Sequence, residues 1–280
     1  VKILLTGASG NVGSATYKAL QENGLEDRAF LATRKPDPSE PKQIEFDFAA
    51  PDTYRENLPQ FDRILLLRPP QLADADRYFR PFAEALQPYQ HVVFLSVQGA
   101  DQMRWVPHHG IEKLLLRSAA SCSFLRPSYF MQNLLGDLWP DLAERGQLYV
   151  PAGSARFNLI DVSDIGRAAA SLLAESPDAK ESAFELTGPE NLTFAEMARI
   201  VSEETGRQIE YRSPNPFRFI RERHRRGASW GQAFVITVLH VLPRLQRREP
   251  PITSDLEKLI GGEPNPFRQF VRREIAPRFG

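Results

Sequence analysis

Hydrophobic residues follow two rhythms through the first half of the chain. Short apolar runs at 1–5, 28–33, 63–67 and 91–96 alternate with stretches at 11–22, 74–86 and 107–119, where apolar positions recur at helical spacing. The short runs are largely unbroken, as in parallel strands covered on both faces, whereas 43–48 alternates. The pattern predicts strands at 2–6, 28–33, 43–48, 63–67, 91–96 and 123–126, most of them separated by helices. Strands joined in this way imply right-handed crossovers and an α/β fold, a doubly wound parallel sheet with helices on both faces.

After about Asp137 the rhythm changes. Short strands are expected at 147–150 and 156–160, and a helix from Asp161 to about Ala174. Thr193 with Glu196, and Ser254 with Glu257, have capping-box spacing; Gly206 and Gly261 then close the two helices. The expected organisation is a cofactor-binding domain over 1–136, rejoined by elements from about 156–190. A smaller α+β C-terminal lobe over 137–280 interleaves with it. The motif Pro214 to Arg221 resembles Pro264 to Arg272, but two copies make no solenoid, and similar proline-led helix starts explain them.

Between the first strand and the first helix stand Gly7, Gly10 and Gly13, at a spacing of three. In that position the glycines allow a tight turn, close backbone approach to a pyrophosphate, and close packing of helix on strand. The helix N–H groups then face the phosphates. The expected cradle is Gly7, Ser9, Gly10, Asn11, Val12 and Gly13. A carboxylate ending the second strand would hold the ribose hydroxyls of NAD; here Arg34 and Lys35 stand instead, which favours the 2′-phosphate of NADP(H) over NAD(H). Asp47, followed by Phe48, is placed to meet the adenine edge, or else caps a turn.

Composition narrows the setting. The 280 residues carry 35 Lys and Arg against 35 Asp and Glu, so no overall field argues for nucleic acid. The single cysteine, Cys122, lies in an apolar strand-like stretch and reads as a buried structural thiol; no intrachain disulfide can form. No charged-then-apolar leader is seen, and the apolar run 233–242 is too short to span a bilayer, so the expected location is cytoplasmic. That run reads as a buried helix, a dimer face or a lid, leaving monomer and homodimer both open. A basic segment within 212–250, with Arg218, Arg221, Arg223, Arg225, Arg226, Arg244, Arg247 and Arg248, reads first as a solvated face paired with local carboxylates. The alternatives are contact with phosphate or acidic lipid, or a surface for a protein partner.

Together these residues resemble the NmrA-like branch of the atypical short-chain dehydrogenases. The resemblance rests on the turn from Thr6 to Gly13, the strand 92–97, Glu112 with Leu115 and Ser118, and the segments 124–127 and 130–133. Further matches lie at 161–165, 186–189 and 194–196. It covers about 1–211 and resumes near 253–270. It implies a Rossmann-type fold and a function as an NADPH-dependent reductase of quinones, imines or enones. Within the same family the alternative is a non-catalytic NADP(H)-binding redox sensor. No metal is expected.

Ordinary members of the superfamily use a Tyr and a Lys one helical turn apart, and that dyad is missing here. Set against the family pattern, Arg104 stands where the Tyr would be. His108, four residues before Glu112, stands near the nicotinamide ribose. His109 with Lys113 copies the dyad one residue out of register. His108, His109, Lys113 and Ser96 are therefore the catalytic candidates, with His108 and Ser96 also expected on the cofactor. The resemblance adds Pro69 and Tyr129 to the cofactor set and Phe130 and Asn133 to a small-molecule substrate pocket. At the fourth strand's end Arg68 replaces the small residue usual in the family.

Overall fold

The computed structural model describes residues 1–175, 180–246 and 248–279. In chain order the first elements are β1 (Ile3–Leu5), α1 (Asn11–Glu22), β2 (Ala29–Thr33), β3 (Gln43–Glu45), β4 (Arg63–Leu66), α2 (Ala75–Ala85), β5 (His91–Leu95), α3 (Pro107–Leu116) and β6 (Ser121–Pro127). There follow β7 (Tyr129–Phe130), α4 (Trp139–Arg145), β8 (Gln147–Tyr149), β9 (Arg156–Ile160), α5 (Val162–Ala174), β10 (Glu181–Leu186), β11 (Asn191–Thr193) and α6 (Phe194–Thr205). The last are β12 (Glu210–Arg212), α7 (Pro216–Arg225), α8 (Trp230–Gln246), α9 (Asp255–Ile260) and α10 (Phe267–Phe270). The chain forms two compact units. One comprises Val1–Ser128, Val162–Leu186 and Thr253–Glu263, the other Tyr129–Asp161, Thr187–Ile252 and Pro264–Gly280.

The first unit is a Rossmann-type sheet of seven parallel strands in the order β10-β6-β5-β4-β1-β2-β3. Chain order reverses between β1 and β4, and the crevice outside the carboxyl ends of those strands is where such sheets bind ligands. Ile3, Leu4 and Leu5 are all buried, as are Ile64, Leu65 and Leu66, which is why these strands read as unbroken apolar runs. Thr6 clamps the crevice edge: its Oγ1 donates to the Leu65 carbonyl at 2.9 Å and accepts from the Leu67 N–H at 2.8 Å. Cys122 is buried, and burial pushes its thiol up to about 12, so it packs as a small apolar residue.

The second unit holds a three-stranded sheet, β11-β9-β7, and a two-stranded one, β12-β8, around an aromatic core that includes Phe157, Phe194, Phe219, Phe267 and Phe270. The Thr193 to Glu196 capping box forms in full and starts α6. Along α8 the inward residues are Ala233, Thr237 and His240, while Phe234, Val235, Leu239, Leu242 and Leu245 are exposed. The run 233–242 is thus only half buried. Within the basic segment Arg223 and Arg226 pair with the buried Asp141, at 3.5 and 2.7 Å; Arg223 is itself buried and so belongs to no solvated face, and Arg247 lies outside the described residues. No helix among the described residues is long and apolar enough to cross a membrane.

Several expectations shift. The third strand stops at Glu45 because Phe46 and Phe48 both turn into a cluster with Tyr54, Phe79 and Phe82. Residues 156–160 pair within the second unit, so the chain returns to the first sheet from Val162, through α5 and β10. Ser254 makes no capping bond: its backbone, at φ −93° and ψ 6°, lacks the extended conformation that Thr193 has at ψ 158°.

Candidate functional site

At the end of β1 the chain must reverse direction within a few residues, and Gly7 does so at φ +62°, in the left-handed region that side chains avoid. The Gly10 N–H closes the turn onto the Gly7 carbonyl at 3.0 Å, and Gly10 then caps α1 with no side-chain bond. A Cβ on Gly13 would lie 2.2 Å from the Gly7 carbonyl oxygen and 2.7 Å from Ala8 Cα, so only glycine fits where helix and turn meet. A Cβ on Gly10 would meet that same oxygen at 3.3 Å. Gly7, Ser9, Gly10 and Asn11 are exposed and Val12 and Gly13 are buried beneath them, which leaves the unpaired first-turn N–H groups of α1 open to an anion. This cradle fits a dinucleotide pyrophosphate.

Beyond β2, Arg34 and Lys35 are both exposed. Asp47 is occupied locally: its Oδ1 accepts from the Ala49 N–H at 2.9 Å, which is the turn-capping alternative. The ring of Phe48 is buried in the aromatic cluster, so its side chain does not face the crevice. Pro69 sits at the end of β4, half buried, and its carbonyl accepts from Arg68 Nη1 at 3.0 Å.

The catalytic candidates are placed by β5 and α3. Ser96, buried just past β5, donates from Oγ to Glu112 Oε1 at 2.6 Å. Glu112 is buried on α3 and gripped from its other side by Arg126, from Nε at 3.0 Å and Nη2 at 2.7 Å. The bonds to Glu112 raise the Arg126 guanidinium further above its ordinary range. His108 stacks on Phe94 with ring centroids 6.0 Å apart, and its Nε2 accepts from Arg68 Nε at 3.4 Å. Burial, with the Arg68 charge adding to it, holds the imidazole down at about 4, so it is neutral at physiological pH with its proton on Nδ1.

His109 turns away from this pair: its Nδ1 donates to the Ala100 carbonyl at 2.8 Å, which makes Nε2 a buried acceptor with no bond among the described residues. Lys113 and Arg104 are exposed. The structure therefore brings Ser96 and Glu112 together in one contact and His108 and Arg68 in another. His109 is half buried with Nδ1 on the Ala100 carbonyl, while Lys113, one helical turn on, is exposed. Neither Arg126 nor Arg68 was expected in a contact of this kind; the signal was a lone arginine in each of two apolar strand ends.

Tyr129, Phe130 and Asn133 belong to the second unit. The Tyr129 ring is packed against Phe157, Phe194 and His240, and its hydroxyl is shared with His240 Nε2 at 3.0 Å and the Asn133 side chain. Since His240 Nδ1 donates to the Ile236 carbonyl at 2.7 Å, Nε2 must accept and Tyr129 must donate. Burial raises the phenol far above its ordinary value. The side chain expected on the cofactor is thus a core element, with its one proton spent. Phe130 is half buried at the end of β7.

Comparison with known proteins agrees with this geometry. Residues 90–220 match the NmrA-like family. The whole chain is 27% identical to Prestalk A differentiation protein A of Dictyostelium discoideum, covering 94% of that protein. It is 23% identical to an NAD(P)H azoreductase of Xenophilus azovorans, covering 98% of each chain. In three dimensions it superposes on an NADPH-dependent quinone oxidoreductase from Escherichia coli, solved with NADPH, at a TM-score of 0.83 and 20% identity, over 96% of this chain and 98% of that one.

Proposed function

We propose, from the premise that this is an NmrA-like chain, that it is an NADP(H)-dependent oxidoreductase acting on quinones or other small conjugated acceptors. The observation that carries the reading is the cradle from Gly7 to Gly13 at the sheet's switch point, followed by two exposed cations, Arg34 and Lys35, where an NAD-selective chain carries a carboxylate. The quinone oxidoreductase of like fold and the azoreductase relative support the same reading.

Bound in its reduced form, the cofactor would supply a hydride to the acceptor. The chain's own share is to orient and to exclude water. The first-turn N–H groups of α1 hold the pyrophosphate, and Arg34 and Lys35 receive the 2′-phosphate. Ser96 has its proton directed at Glu112, and the neutral His108 has no proton to release from Nε2. In the first unit, then, neither Ser96 Oγ nor His108 Nε2 presents a proton for delivery, and on this reading protons come from solvent. That suits acceptors that gain charge stabilisation from their own conjugation, such as quinones, better than simple ketones, which need an acid at the oxygen.

The test is protein-dependent loss of NADPH absorbance with a panel of quinones, alongside simple ketones. Quinone reduction faster than ketone reduction is expected. The sensor reading is favoured by the same committed protons, and tight NADPH binding with no acceptor reduced would establish it instead.

A further inference from the structure

Arg68 stands at the carboxyl end of β4, beside the switch-point crevice and one residue beyond Leu67, whose side chain lies against Gly7. Its guanidinium is fixed on two sides. Nη1 donates to the carbonyls of Pro69, Pro70 and Leu72 at 3.0, 3.1 and 3.3 Å, and Nε donates to His108 Nε2 at 3.4 Å. All four acceptors are neutral. Among the described residues no carboxylate lies within ion-pair distance of Arg68, and Nη2 has no hydrogen-bond partner. Arg126, by contrast, faces Glu112, Glu185 and Asp101.

A half-buried cation without a counter-ion is costly, because desolvation is not offset by an opposite charge. Burial accordingly lowers the guanidinium from its ordinary range, with no carboxylate opposing the shift. At Arg223 and Arg226, by comparison, Asp141 supplies the opposite charge. At Arg68 four contacts to neutral acceptors hold the group instead.

We propose that Arg68 is a receptor for an anionic oxygen group, a carboxylate, sulfonate or phosphate, on a molecule bound at the carboxyl end of β4. The inference rests on the reading of the crevice as an NADP(H) and acceptor site. The group comes from one of two sources, an acid substituent on the acceptor or a phosphate of the cofactor. The acceptor source is the stronger, since the first turn of α1 already serves the pyrophosphate. The planar fork of an arginine suits a two-oxygen anion, and a fork held in place makes the acceptor's acid group a determinant of specificity.

The experiment measures binding rather than turnover. Affinities for NADPH, anthraquinone and anthraquinone-2-sulfonate are titrated on the wild-type protein and on the Arg68→Met and Arg68→Lys variants. If the anion is the acceptor's, the wild type prefers the sulfonated quinone by about tenfold or more, Arg68→Met abolishes the preference and leaves NADPH unchanged, and Arg68→Lys restores part of it. If the anion is the cofactor's, Arg68→Met weakens NADPH by about tenfold, Arg68→Lys restores part of that, and the two quinones stay equal. Unchanged affinities in Arg68→Met, or losses that Arg68→Lys does not relieve, would overturn the proposal and leave Arg68 a loop fastener. Ligands that bind with this dependence but are never reduced would sink the oxidoreductase reading alone.

Discussion

Ser96 Oγ donates to Glu112 Oε1 at 2.6 Å while Arg126 holds the same carboxylate from its other side. A serine at the end of β5 in a sheet of this kind is an obvious candidate to bond a substrate carbonyl, yet here its proton is directed into the protein. Ser96→Ala should therefore keep kcat within about threefold, against the roughly hundredfold loss expected on removing a general acid. It should cost about 1–2 kcal/mol of stability, read from urea unfolding. A hundredfold fall in kcat with stability intact would show that the hydroxyl turns to the substrate.

Removing the cation from this trio should be far worse for folding. Arg126→Met leaves Glu112 buried with an uncompensated charge, at a cost of about 3–5 kcal/mol in denaturant unfolding. A loss below about 1 kcal/mol would mean that solvent reaches the carboxylate.

The glycine turn separates folding from binding. Gly13→Ala places a methyl group 2.2 Å from the Gly7 carbonyl oxygen, so unfolding experiments should find at least about 1–3 kcal/mol lost. Gly10→Ala, whose methyl meets the same atom at 3.3 Å, should cost about 1 kcal/mol or less, yet weaken NADPH binding by tenfold or more in a fluorescence titration, at about the scale of one charged hydrogen bond. Equal NADPH affinity in Gly10→Ala and wild type would remove the pyrophosphate from the cradle.

Much of this was legible in the sequence, and where it was not the reason is physical. Helix α1 was readable to the residue because an unbroken strand, a glycine triplet and a helical period meet there. Strand β10 was not: it is an edge strand, half exposed along most of its length, so its residues carry no apolar run. The third strand was overread because Phe46 and Phe48 continue a strand-like alternation while their rings serve a cluster beyond it. For His109 and Lys113 the spacing was legible and the exposure was not, since a helical pair says nothing of which member faces solvent. Tyr129 was assigned to the cofactor by resemblance, and only the geometry reveals His240, remote in sequence, as the group that accepts its hydrogen bond.

Two further histidines set a pH dependence. His91, held between Ser121 and Ser123, and His240 both lie at about 4 because burial disfavours their charged forms. Both stay neutral in the folded protein while their unfolded counterparts protonate near 6.5. Stability should hold above that value and fall as pH drops toward about 4, where each histidine would have cost about 3 kcal/mol. Denaturant midpoints across this range test it. The slope should flatten in His91→Gln, which cannot protonate, and an unchanged slope would assign the loss to other groups.

The proposed reading makes cofactor choice turn on Arg34 and Lys35. Arg34→Glu combined with Lys35→Ala should shift the ratio of NADPH to NADH affinity by about 10- to 100-fold toward NADH, the worth of one or two charge-assisted bonds. No change in the ratio would move the 2′-phosphate elsewhere.

The central claim is that the chain passes a hydride from the bound cofactor to a conjugated acceptor. Its most direct measurement is the single-turnover oxidation of NADPH deuterated on one or the other face of its C4, with a quinone in excess. The account predicts rapid oxidation that one label slows severalfold and the other leaves unchanged. Bound NADPH that persists, or oxidation that neither label slows, would contradict it.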